Sequence, residues 1–122
     1  MRVCVTSSGK ELSSPIDPRF GRCTVFMIVD TETMQFEAVD NPAMGARGGA
    51  GTWAGQLMNE HKVEAVLTGN VGPNAFNVLQ AAGITIYTGI SGTVQDALGQ
   101  LRDGALSAVG GPSAAPHSGM RQ

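Results

Sequence analysis

The sequence predicts an α/β domain built on one mixed β-sheet with helices on its faces. Three observations lead there. Of 122 residues, 42% are apolar and 15% charged, which suits one hydrophobic core and leaves too little chain for a second. Short β-branched runs alternate with segments of helical spacing through the second half. The 17 glycines cluster where those runs end, as turn chemistry after strands requires.

The elements follow in order. Met1 to Ser7 is apolar and β-branched and reads as a buried strand, stopped by Ser8-Gly9. Glu11 to Gly21 carries two prolines and few apolar residues, so it reads as a loop. Thr24 to Val29 is a second strand, and Asp30 to Thr33 a tight turn. Met34, Phe36 and Ala38 then alternate with Gln35, Glu37 and Val39 at the period of a half-exposed edge strand, which closes an antiparallel hairpin. Asn41 to Thr52 is a glycine-rich loop, and Trp53, Leu57 and His61 repeat at helical spacing, giving a helix from about Gly51 to His61. Val63 to Thr68 is a strand ending in Gly69-Asn70-Val71-Gly72. Pro73 suits the first turn of a helix that Gly83 closes. Ile84 to Thr88 is a further strand. Thr93 and Asp96 stand as a capping box for a last helix that Gly104 ends.

The order is β-β-β-α-β-α-β-α. Residues 1–104 form the folded domain, and 105–122, rich in Gly, Pro, Ser and Ala, read as a flexible tail. The net charge of −2 exerts no general pull on nucleic acid or an anionic membrane. No apolar run approaches the roughly 20 residues of a membrane span, and Met1 to Thr6 lacks the apolar core of a signal peptide. A cytoplasmic protein is expected.

Strand directions carry the functional reading. If the first strand points up, the parallel strands do too, and one edge collects five segments. These are Thr6 to Gly9, Arg19 to Cys23, Asn41 to Gly51, Gly69 to Gly72 and Gly89 to Gly92. Three helix starts lie on that edge, where ligands of such sheets bind and free N–H groups favour anions. Three of the six arginines, Arg19, Arg22 and Arg47, fall in these segments. Each loop alone is ordinary turn chemistry, but their joint placement outlines an anion pocket. GxGxxG and GxxxxGK[ST] are both absent from the sequence, so no nucleotide site is expected.

Catalytic groups are scarce. Cys4 lies in an apolar strand and reads as a core residue. Cys23 sits near two arginines that would lower its pKa, and two readings stand: a metal or sulfide contact, or a packed thiol. A disulfide between them is disfavoured by the hairpin register. His61 ends a helix, a structural position, while His117 and Met120 lie in the tail. The strand ends offer Ser7 and Asn70 where metal-assisted hydrolysis would want carboxylates, and no Ser-His-Asp trio is evident.

Met1-Arg2-Val3-Cys4-Val5-Thr6-Ser7-Ser8-Gly9, Asp17-Pro18-Arg19-Phe20-Gly21-Arg22-Cys23 and Leu67-Thr68-Gly69-Asn70-Val71-Gly72-Pro73-Asn74-Ala75-Phe76 together resemble the dinitrogenase iron–molybdenum cofactor biosynthesis accessory family. Within it the likeness is to the orange proteins of sulfate-reducing bacteria. The resemblance implies a ribonuclease-H-like fold without nuclease carboxylates and a non-catalytic carrier or storage role for a molybdenum–copper sulfide cluster. It also raises iron–sulfur P-loop ATPases as partners. A cluster of that type is anionic and soft, and needs charge, N–H donors and apolar walls. Placement then nominates Arg19, Phe20, Arg22, Cys23, Met44, Arg47, Gly48, Gly49, Asn70, Gly72, Asn74 and Phe76 for the pocket. Cys23, His117 and Met120 are the candidate metal ligands. The competing readings are an interaction module docking on a P-loop ATPase and, less favoured, an enzyme for a small phosphorylated substrate.

Overall fold

Val3, Cys4 and Val5 are fully buried because their strand lies at the centre of a sheet covered on both faces. The computed structural model describes residues 1–42 and 49–110. Its elements are β1 (Arg2–Ser7), β2 (Val25–Asp30), β3 (Phe36–Asp40), α1 (Ala50–Glu60), β4 (Ala65–Leu67), α2 (Pro73–Ala81), β5 (Thr85–Tyr87) and α3 (Val94–Arg102). The sheet order is β3-β2-β1-β4-β5. β2 is antiparallel to β1 and β3, whereas β1, β4 and β5 are parallel. This is the mixed sheet the element order predicts.

Alternation along the strands divides the core in two. Cys4, Phe26, Ile28, Val66 and Ile86 point to one face, where Ala54 and Met58 of α1 and Phe76 and Leu79 of α2 cover them. Val3, Val5, Met27, Val29 and Leu67 point to the other, under Val94, Ala97 and Leu98 of α3. The hairpin turn places Met34 at φ 62°, and its N–H bonds the Asp30 carbonyl at 2.7 Å.

Helix ends are closed by chain chemistry. Gly83 and Gly104 have φ +76° and +71°. In both, the glycine N–H and the next N–H reach back to carbonyls of the last turn: Gln80 and Leu79 in α2, Leu101 and Gln100 in α3. α1 has no basic residue in its last turn. Arg2 supplies the cation from β1, its Nε donating to the His61 carbonyl at 2.8 Å.

Packing continues past the boundary expected at 104, as far as Val109 among the described residues. Val109 N–H donates to the Ile86 carbonyl at 2.9 Å, and Ala108 bridges Tyr87. Leu106 and Val109 supply the reason, since each packs partly buried against one of the two core clusters and shields the β5 edge.

Candidate functional site

The loop between β1 and β2 is stitched down along its length. Its residue Arg19 bridges Asn70, with Phe20 N–H donating to the Asn70 carbonyl at 3.2 Å and Asn70 N–H to the Pro18 carbonyl at 2.7 Å. Asn41, just past β3, donates through Nδ2 to the carbonyls of Gly21 (3.0 Å) and Cys23 (2.9 Å). Beneath lies a buried hydroxyl relay. Thr6 Oγ donates to the Asp17 carbonyl at 2.6 Å, so its 2.7 Å contact with Thr68 Oγ is satisfied by the Thr68 proton. The ends of β1 and β4 are thereby tied to the loop above them.

This clamped loop forms one wall of a cleft of about 460 Å³. The cleft is lined by Arg19, Phe20, Gly21 and Arg22 from the loop, Gly49, Ala50 and Gly51 at the start of α1, and Asn70 with Gly72 to Ala75 at the start of α2. Gly49 and Gly72 are the N-caps of the two helices. Neither has a side-chain cap, and neither helix has an acid in its first turn. The first N–H groups of a helix have no carbonyl within it to bond, so, among the described residues, two positive helix ends without a side-chain cap converge on one hollow.

The third helix start is not part of this. Thr93 and Asp96 close a complete capping box on α3. Loop carbonyls take further donors, Val94 N–H bonding Ser14 O and Gln95 N–H bonding Leu12 O, both at 2.9 Å. The expectation of three helix starts open to an anion is corrected at α3. The third is filled by the protein's own oxygens.

Charge is also redistributed. The buried Asp17 carboxylate accepts from Arg19 N (3.1 Å), Arg19 Nε (3.3 Å), Arg19 Nη2 (3.4 Å) and Thr24 N (3.3 Å). The hydrogen bond to Asp17 raises the Arg19 pKa further. Cys23 is buried, and its pKa is pushed up, first by burial and then by the Asp17 charge. Those two causes outweigh bonding from Ser7 and the pull of Arg19. The expected lowering by arginines is therefore overturned. Burial raises the Cys4 pKa likewise, with a smaller contribution from Cys23, and both cysteines are free.

Of the residues nominated from sequence, Arg19, Phe20, Arg22, Gly49, Asn70, Gly72 and Asn74 line the cleft. Phe76 and Cys23 instead belong to the buried core. Met44, Arg47 and Gly48, and the tail residues His117 and Met120, lie outside the described residues. Sequence reasoning missed Asp17 and Asn41. The signal for Asp17 was present, because Asp before Pro with an amide two residues on is Asx-turn chemistry. A second hollow of about 370 Å³, lined by Met1, Met34, Leu98 and Arg102 among others, contains none of the nominated residues. No described helix is long and apolar enough to cross a membrane.

The family model for the dinitrogenase iron-molybdenum cofactor matches residues 1–104. The fold is similar to the apo form of the orange protein from Desulfovibrio gigas, with a TM-score of 0.90 and 41% identity over 93% of this chain and 96% of that one. It is also similar to a NifB-like protein of Thermotoga, at TM-score 0.77 and 39% identity over 88% of this chain and 91% of that one. An uncharacterised protein of Methanocaldococcus jannaschii is 31% identical over 104 residues, covering 79% of this chain and 88% of its own.

Proposed function

The chain belongs to the dinitrogenase iron-molybdenum cofactor family, and from that premise we propose that it is a non-catalytic carrier of an anionic metal–sulfur cluster, of the molybdenum–copper sulfide type. The observation that carries this reading is the convergence of two uncapped, acid-free helix starts with Arg19 and Arg22 on one cleft.

The donor set suits such a cargo. Among the described residues no three His, Cys, Asp or Glu side chains converge, and both thiols are buried with raised pKa. A thiolate cage is not on offer there. A pre-assembled cluster brings its own sulfides and asks for charge neutralisation and N–H donors, which guanidinium groups and helix starts supply. Phe20 and Ala75 border the cleft but are buried in the core, so they form its floor and expose little apolar surface. No general base paired with a nucleophile faces the hollow among the described residues, which favours holding over turnover.

The test is direct. Apo-protein incubated with tetrathiomolybdate and Cu(I) should give a coloured, stoichiometric complex that survives gel filtration. Trp53, in the first turns of α1 and stacked at a tilt on Phe26 with centroids 6.3 Å apart, should lose fluorescence as the coloured cargo loads. Colourless protein eluting apart from both metals would sink the reading.

A further inference from the structure

Asp17 is a buried acid placed against a cleft that otherwise gathers positive potential, and the reading of the cleft as an anion site gives it no role. Its geometry does. Four donors converge on its two oxygens, at 3.1–3.4 Å, and three of them belong to Arg19: the backbone N–H, Nε and Nη2. The fourth is Thr24 N–H, at the far end of the same loop. The Asp17 side chain is 6% exposed, whereas the Arg19 side chain it grips is 60% exposed and belongs to the cleft lining. A long side chain at that exposure would normally sample many rotamers. Here one face of its fork is clamped from below, and Asp17 takes only two of the five guanidinium N–H donors.

We propose that Asp17 is the positioning residue of the cleft, holding Arg19 in one orientation so that an incoming tetrahedral thio- or oxometallate anion meets a preset fork of donors. The inference rests on the anion-carrier reading and deepens it. A carboxylate that merely neutralised the cleft would compete with cargo. One that fixes the fork favours cargo, because ordering the side chain no longer costs entropy at the moment of binding.

The two roles predict opposite signs. Tetrathiomolybdate affinity is measured for wild type, Asp17→Asn, Arg19→Ala and the double variant, with thermal midpoints recorded alongside. Arg19→Ala alone should weaken binding about tenfold or more, whereas in the Asp17→Asn background the same change should cost less than about threefold, a coupling expected of groups in direct contact. Tighter binding by Asp17→Asn, or an equal cost of Arg19→Ala in both backgrounds, overturns the proposal. Should Asp17→Asn not fold, Arg19→Lys decides. It keeps the charge but lacks the planar fork that is held by Asp17 and offered to the anion, so it should bind several-fold more weakly than wild type, and wild-type affinity would overturn the idea. A reading without cargo separates this proposal from the carrier function. By NMR, the Arg19 Nε–H of wild-type apo-protein should give a resolved, slowly exchanging signal. If that proton exchanges as fast as in free arginine, Asp17 does not position it, whatever the cleft binds.

Discussion

Gly21 lies with its α-carbon against the backbone of Gly51: a Cβ on Gly21 would stand 2.8 Å from the Gly51 nitrogen and 2.9 Å from its α-carbon. Contact this close, backbone on backbone, seats the clamped loop directly on the first turn of α1 and sets the cleft's inner width. Because backbone cannot yield as a side-chain tip can, Gly21→Ala should cost about 1–3 kcal/mol, read from urea unfolding, and should reduce cargo affinity. Gly99→Ala is the counterpart. Inside α3 the nearest atom to its added Cβ is the tip of Arg102 at 3.5 Å, so helix propensity should prevail and stabilise by up to about 1 kcal/mol. Equal effects at the two glycines would show that the close approach at 21 has no consequence.

The two buried thiols make stability fall in alkali. Both Cys4 and Cys23 have pKa values raised above the ordinary thiol value of 9.0. Below that value both folded and unfolded chains hold the proton, and the thiols contribute no slope. Above it the unfolded chain releases protons that the native chain keeps, so stability declines by up to about 1.4 kcal/mol per pH unit for each thiol. Urea midpoints should stay flat with respect to these groups to about pH 8.5 and then drop. Cys4→Ala/Cys23→Ala should flatten that alkaline limb. Iodoacetamide at pH 8 should label neither thiol until the protein is unfolded.

Much of this was legible beforehand because it is local. Strand and helix identities follow from short-range periodicity, and the Thr93–Asp96 box and the Gly83 and Gly104 stops follow from cap chemistry written within four residues. Direction rules then brought Arg19 and Arg22 to the same edge as Gly49, Asn70 and Gly72. What was illegible depends on depth and on partners distant in sequence. Cys23 beside two arginines left a metal or sulfide contact and a packed thiol both open, because whether charge or desolvation wins is decided by burial, which spacing does not report. Asn41 reaches Gly21 and Cys23 across about 20 positions. The loop that fills the α3 start does so through main-chain carbonyls, which any residue carries.

The α3 cap separates stability from binding. Thr93 Oγ accepts from Asp96 N–H at 3.1 Å, and Asp96 Oδ2 accepts from Thr93 N–H at 3.0 Å. Thr93→Ala removes the first of these and should cost about 0.5–2 kcal/mol. The start of α3 contributes no residue to the cleft lining, so the folded variant should load tetrathiomolybdate with wild-type affinity. A loss of affinity at constant fold would bring this helix start back into the binding site.

Charge is the final discriminator. A cargo held without thiolate ligands depends on Coulomb attraction and charge-assisted hydrogen bonds, each worth roughly 1.5–3 kcal/mol. Arg19→Ala and Arg22→Ala should therefore each weaken loading about ten- to a hundredfold. Raising salt toward 1 M, where the Debye length shrinks to about 3 Å, should weaken wild-type loading as well and narrow its advantage over both variants. Arg102→Ala is the control, an exposed side chain at the end of α3 whose Nε pairs with its neighbour Asp103 at 3.3 Å. Arg2 is a poor control, because its guanidinium holds the His61 carbonyl at the end of α1 and its loss would disturb the fold. If Arg102→Ala costs as much loading as Arg19→Ala and Arg22→Ala, attraction is diffuse over the surface and the cleft between α1 and α2 is not where the anion sits.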